Sequence, residues 1–264
     1  MKSVEFAQMI RIKCLELSHR KKTSHLGGSF SIADVLAVLY SYVLKYDSQH
    51  AKLEIRDRLF YSKGHACMAL YAALEGVGFY SNLEEKFTLD GEYFTSHINH
   101  NVPGVELSTG SLGHALSVAV GVSLASKKKN QVWRTFTIVS DGELDEGSNW
   151  EAILLAPHLK LDNMVLIVDY NKVQSFGMTN EVLNLEPLNS KFVAFNWNVF
   201  EVDGHDHFKL KNCFDNILLN GKPTVIIAHT VKGKGVSFME HKLEWHYRSP
   251  TAEQFDQALK ELKS

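Results

Sequence analysis

Apolar positions along this chain fall into two periods, and their alternation predicts the order of its elements. Val4, Met9, Ile12 and Leu15 recur at helical spacing and predict a helix over 3–19. Ser31 stands where a cap would open a helix over 32–44. Residues 57–62 read as a short strand and 66–74 as a helix, and a long small-residue helix is expected over 115–126. The largely apolar run 132–139, with Arg134 inside it, predicts a buried strand. A helix over 148–158 and a second buried strand over 164–168 follow it. A helix over 187–196, strands over 198–202 and 224–228, and a helix over 252–263 complete the order. Strand-helix-strand units of this kind make parallel neighbours. The expected fold is α/β, a doubly wound, mainly parallel sheet flanked by helices. It is read as a single domain over 1–264, without internal repeat or linker.

Composition narrows the class. The chain has 264 residues, 45% hydrophobic and 22% charged, long enough for one large domain with a substantial core. A net charge of −2 gives no electrostatic case for nucleic acid or an anionic membrane. No apolar run approaches the ~20 residues of a membrane span. The start, Met-Lys-Ser-Val-Glu and then a helical pattern, does not read as a signal peptide. Cys14, Cys67 and Cys213 are scattered and odd in number, so a reduced, cytoplasmic setting is expected. Thirteen histidines is a high count that asks for an account.

The chemistry concentrates between Ser140 and Val173. Asp141-Gly142 follows the first buried strand, and Asp169-Tyr170-Asn171 ends the second. Ligands of open parallel sheets bind beyond the carboxyl ends of the strands, where both clusters fall. Asp141 can offer a carboxylate oxygen, Asn171 an amide oxygen, and the chain two residues on a carbonyl. That donor set suits Mg²⁺ or Ca²⁺ with phosphate oxygens completing the shell. Gly142 permits close approach of a phosphate, and the helix start near Gly147-Ser148 adds amide donors. Asp-Gly is also a common surface turn, and spacing alone leaves that reading open.

The stretch resembles the thiamine diphosphate motif, which begins Gly-Asp-Gly and ends Asn-Asn or Asp-Asn, and is most similar to that of transketolases. The resemblance implies a metal site of Asp141, Asn171 and the Val173 carbonyl, with Ser140 in place of the motif's first Gly. Further segments match in order. The loop before Gly27-Gly28 carries His25, which matches a family His pointing into the substrate channel. Ser62-Lys63-Gly64-His65 resembles the family's Ser-x-Gly-His, which sets a His (here His65) against the cofactor diphosphate. Thr109-Gly110-Ser111-Leu112-Gly113 resembles the backbone along the aminopyrimidine and thiazolium, with Gly110, Ser111 and Leu112 in contact. His114 stands where full-length transketolases often carry Gln. A family His that touches sugar corresponds to His97, with His100 the alternative. Ser96-His97-Ile98-Asn99-His100 has no cysteine or carboxylate nearby and is a weak zinc pattern. A further family His near cofactor and substrate corresponds to His246 or His241. Thr230-Val231-Lys232-Gly233-Lys234-Gly235 resembles the loop over the active site; alone it reads as a flexible surface turn. Asp203-Gly204-His205-Asp206 reads as structural.

By this resemblance the chain corresponds to the N-terminal subunit of a split transketolase, a transferase that moves a two-carbon ketol unit from a ketose or ketose phosphate to an aldose. His25, His97 and His246 would be catalytic. His65, Gly110, Ser111, Leu112, Gly142, Glu146 and Asn171 would bind thiamine diphosphate, Glu146 also supporting a carboxylate network between neighbouring sites. The pyrimidine-binding domain is expected on a partner, a C-terminal transketolase subunit, in a heterotetramer active only when assembled. Two alternatives stand: a 1-deoxyxylulose-5-phosphate synthase-like thiamine diphosphate activity, and a non-catalytic scaffold of the same fold.

Overall fold

The computed structural model describes residues 2–264. Its chain order begins with α1 (Ser3–Lys21), α2 (Leu26–Ser31), α3 (Ala33–Val38), β1 (Arg58–Tyr61), α4 (Cys67–Gly76) and the single turn α5 (Leu83–Lys86). The centre holds α6 (Ala115–Lys128), β2 (Thr135–Ser140), α7 (Gly147–His158) and β3 (Met164–Tyr170). Then come the short α8 (Thr179–Val182), α9 (Leu188–Ala194), β4 (Asn198–Asp203), α10 (His207–Asp215), β5 (Thr224–His229) and α11 (Ala252–Lys263).

The five strands run in the order β1-β2-β3-β5-β4, and every neighbouring pair is parallel. Side chains alternate across the sheet, so each strand feeds two cores. Val165 and Ile167 of β3 join the cluster made with α1, α3, α4 and α11. Met164, Leu166 and Val168 join the opposite cluster with α6, α7 and α9. The step from β4 back to β5 reverses direction along the sheet. A right-handed crossover must then lie on the other face, and α10 does pack with the first cluster. The doubly wound expectation holds, because the sheet is covered on both sides.

Local boundaries differ in instructive ways. Val132 is 80% exposed, and β2 begins only at Thr135, from which every strand residue is buried. Ser140, expected in the turn, is the last strand residue and pairs in register with Asp169. Ser31 caps nothing: it ends α2, and its hydroxyl donates to the Asp169 carboxylate at 2.6 Å while lying 3.0 Å from the Gly28 carbonyl. Gly27 and Gly28 lie inside α2, a wholly buried helix. The expected helix 32–44 is α3 continued by a wider π turn over Leu39–Val43. Asp206 caps α10, a helix that apolar spacing did not announce.

Candidate active site

The carboxyl ends of β1, β2, β3 and β5 surround a cavity of about 360 Å³. That is within the range of small-molecule sites. Asp141 follows β2 directly and is 1% exposed. One of its oxygens accepts the Gly142 N–H at 2.7 Å and the other the Lys172 N–H at 2.5 Å. Among the described residues, no cationic side chain is hydrogen-bonded to it. Burial, and then the nearby Asp169 charge, push its carboxyl up to about 6. Asn171 follows β3, and its side-chain oxygen accepts from the Val173 N–H at 3.1 Å. Val173 lines the same space. A buried carboxylate short of counter-charge, beside an amide oxygen and a carbonyl, is a donor set that fits a hard divalent cation.

Two lysines complete the floor. Lys63, 1% exposed, donates to the Gly28 carbonyl at 2.9 Å and pairs with the Asp169 carboxylate. Asp169 also accepts from Ser31 and Thr230, so one buried acid ties β1, α2, β3 and β5 together. Lys232, 2% exposed, donates to the Val173 carbonyl at 2.8 Å and lies 3.3 Å from His246 Nδ1. Burial lowers its ammonium to about 8, against the pull of Asp141. Lys232 is thus no flexible surface residue: its backbone turns under α2, where a Cβ on Gly27 would already meet its side chain at 3.0 Å.

Four histidines from four segments meet at the mouth. The His25 ring lies 5.3 Å from His65, 5.8 Å from His97 and 4.9 Å from His246. His25 adopts a left-handed backbone (φ 69°), held by its N–H on the His246 carbonyl at 3.0 Å. Burial, then His97 and Lys232, lower His25 to about 4. Burial and Lys232 lower His246 to about 3, and burial with Lys63 holds His65 well below its ordinary value. The rings of His25, His65 and His246 are therefore neutral at ordinary pH, each able to donate and to accept.

The remaining residues singled out from the sequence divide clearly. His65, Gly110, Leu112, Gly142, Glu146, Asn171, Val173 and His246 line the main cavity. His25 and His97 line a side cavity of about 100 Å³ that reaches Cys67, Met68 and Phe87. Gly110 packs its backbone on the His97 ring, where a Cβ would sit at 3.1 Å. Ser111 is exposed and lines neither cavity. His100 is exposed on the Ser108 hydroxyl at 2.7 Å, and His241 lies in a different depression beside β4 and β5. His114 bonds the Leu112 carbonyl at 2.9 Å and is exposed.

The structure adds residues to which sequence reasoning gives no role: Lys63, Asp169, Lys232 and Glu143. Glu143 is fully buried and accepts from Ser62 and, at 2.9 Å, from the Gly113 N–H, so it clamps two segments that border the cavity. Burial raises its carboxyl, and its second oxygen has no protein partner among the described residues. A charged residue at or just beyond a strand end, flanked by glycine or apolar neighbours, is the signal that could have marked them.

Comparison with known proteins follows this geometry. Residues 3–262 match the family model for transketolase, thiamine diphosphate binding domain. The chain is 40% identical over 255 residues to an apulose-4-phosphate transketolase subunit of Phocaeicola vulgatus, covering 96% of this chain and 90% of that one. It is 40% identical over 260 residues to 6-deoxy-6-sulfo-D-fructose transketolase subunit SqwG of Clostridium sp., covering 97% and 94%. It superposes on the transketolase of Leishmania mexicana with a TM-score of 0.93 at 29% identity, over 100% of this chain. It spans 41% of the length of that solved transketolase.

Proposed function

The chain belongs to the transketolase family through its thiamine diphosphate-binding domain, and from that premise we propose that it is the diphosphate-binding half of a two-chain transketolase. The reaction is transfer of a two-carbon ketol unit from a ketose or ketose phosphate to an aldose. Residues 1–264 act as one diphosphate-binding domain, and a partner subunit contributes the pyrimidine-binding domain, two of each forming a heterotetramer. Relatives of nearly the same length that are named as subunits support this arrangement. Three buried free cysteines support a reducing cytoplasmic setting, and among the described residues no helix is long and apolar enough to cross a membrane.

One observation carries the reading: Asp141 is buried with no cationic side chain bonded to it among the described residues, in a cavity that Asn171, Val173 and two buried lysines also line. Mg²⁺ (or Ca²⁺) would be held by Asp141, Asn171 and Val173. Lys63 and Lys232 would offset the diphosphate charge with His65 and the Gly142 backbone, and Gly110, Ser111 and Leu112 would follow the rings. Thiamine diphosphate supplies the carbanion chemistry that breaks the bond beside the ketose carbonyl. His25 and His246, kept neutral by burial and the lysines, would join His97 in holding substrate hydroxyls and moving their protons. Glu146, exposed at the start of α7 and bordering the cavity, would join the carboxylate network toward a neighbouring site.

The test is binding of thiamine diphosphate to the chain co-purified with its partner, with and without Mg²⁺. Asp141→Ala is expected to abolish the Mg²⁺-dependent part. Undiminished binding would remove the metal assignment. Native mass spectrometry of the wild-type assembly reads partner and cofactor together, and a bare homodimer without cofactor would overturn the two-chain reading.

A further inference from the structure

Outside the cavity, a buried cluster of titratable side chains surrounds Asp34. Arg11 Nη1 donates to its Oδ1 at 3.1 Å, His207 Nε2 lies 3.0 Å from the same oxygen, and His205 Nδ1 lies 2.6 Å from Oδ2. Burial alone would raise the Asp34 carboxyl; His205, His207 and Arg11 reverse this and hold it well below the usual carboxylate range. His205 then reaches beyond Asp34. Its Nε2 lies 2.8 Å from the backbone nitrogen of Val231. A backbone N–H can only donate, so Nε2 accepts, and the ring proton sits on Nδ1 facing Asp34. The carboxylate thereby fixes both the tautomer and the orientation of the ring.

The neighbouring loop amides are secured differently. Thr230 N–H donates to the Tyr170 carbonyl at 3.2 Å and Gly233 N–H to the Gly27 carbonyl at 3.0 Å. Backbone acceptors such as these do not depend on side-chain identity. Val231 alone of the three relies on a side chain, and it directly precedes Lys232. His205 does not line the main cavity. We propose that Asp34 and His205 form a positioning relay that sets the Val231–Lys232 backbone and so aims the Lys232 ammonium into the cavity, at the Val173 carbonyl. The proposal rests on reading that cavity as the diphosphate site.

Two substitutions separate the two faces of the ring. His205→Asn retains an N–H near Nδ1 for Asp34 and leaves nothing near Nε2. His205→Gln places an amide oxygen near Nε2 for Val231. Hydrogen exchange of the 230–236 segment is measured by mass spectrometry on the full chain without cofactor. Thiamine diphosphate affinity is measured by calorimetry, with Mg²⁺, on the assembled subunits. His205→Asn is expected to speed exchange at Val231 and weaken the cofactor about tenfold, the scale of one buried donor left unsatisfied. His205→Gln is expected to recover most of both. Wild-type exchange and affinity in His205→Asn overturns the relay. So does an equal loss in both variants that tracks their melting temperatures. If Asp141→Ala, run alongside, binds like wild type, the diphosphate reading fails, and the exchange difference still decides the relay.

Discussion

Replacing Lys63 with Met strands a buried carboxylate. Lys63 and Asp169 form an ion pair whose side chains are 1% and 0% exposed. Without the ammonium, Asp169 keeps two neutral donors, the hydroxyls of Ser31 and Thr230. Breaking a buried pair from one side costs roughly 3–5 kcal/mol, and the hydroxyls offset about 1 kcal/mol. The expected loss is therefore about 2–4 kcal/mol. At about 2–4 °C per kcal/mol for a chain of this size, the melting temperature falls by about 4–16 °C. The Lys63→Met/Asp169→Asn double variant removes both charges. It is expected to lose less than the sum of the singles, by about 2 kcal/mol of coupling.

The pH dependence gives a second check on the same pair. Burial works to raise Asp169, but Lys63, then Ser31 and Thr230, hold it below its ordinary value. In the wild type its contribution to stability is present above the unfolded carboxyl pKa of about 3.9, and it is lost as pH falls through the lower folded value. In Lys63→Met burial dominates and the folded pKa is raised. The deficit relative to wild type then grows as pH rises from the depressed wild-type folded value to the raised variant value, so it is smaller at about pH 4.5 than at about pH 7.5. Urea unfolding followed by circular dichroism at both pH values, at one protein concentration, measures this. Single and double variants that add within about 0.5 kcal/mol, or a deficit that ignores pH, would refute the argument.

Gly64→Ala should be damaging out of proportion to its size, because the new Cβ would lie 2.2 Å from the Thr109 carbonyl oxygen and 2.7 Å from the Gly110 nitrogen. Backbone must move, so about 1–3 kcal/mol of stability and about tenfold or more in cofactor affinity are expected to go. Gly121→Ala, on α6 with nothing within 4 Å, should instead stabilise by up to about 1 kcal/mol; denaturation and calorimetry on both variants decide. In the cofactor-free chain, His25 and His246 should titrate near 4 and 3 by NMR. The unfolded imidazole takes its proton near 6.5, so stability should fall as pH drops from about 6.5 toward those folded values. A His25 titration at or above about 6.5 would contradict the burial argument.

Much of the fold was legible because periodicity is local. The apolar runs that became β2 and β3 need no distant partner to announce a strand, and Asp141 and Asn171 were visible as polar residues at their ends. Boundaries failed where burial is not local. Val132 is apolar yet exposed, and Ser31 has cap chemistry yet serves Asp169, 138 positions away. Of the two histidine ambiguities, the sequence placed both candidates within a few residues. Only packing separated His97 from His100 and His246 from His241.

Sequence alone determined the parallel α/β architecture and the chemical character of the strand ends, since hydrophobic spacing and side-chain type are properties of neighbouring residues. Tertiary structure decided what those ends do together. It turned Lys232 from a loop residue into a buried ammonium, set Lys63 on Asp169, and gathered histidines 25, 65, 97 and 246 into one cluster. The protonation of the buried rings follows from burial and from charges brought in by segments far apart in the chain. No window of sequence contains that electrostatic environment, because strand order and crossover handedness create it.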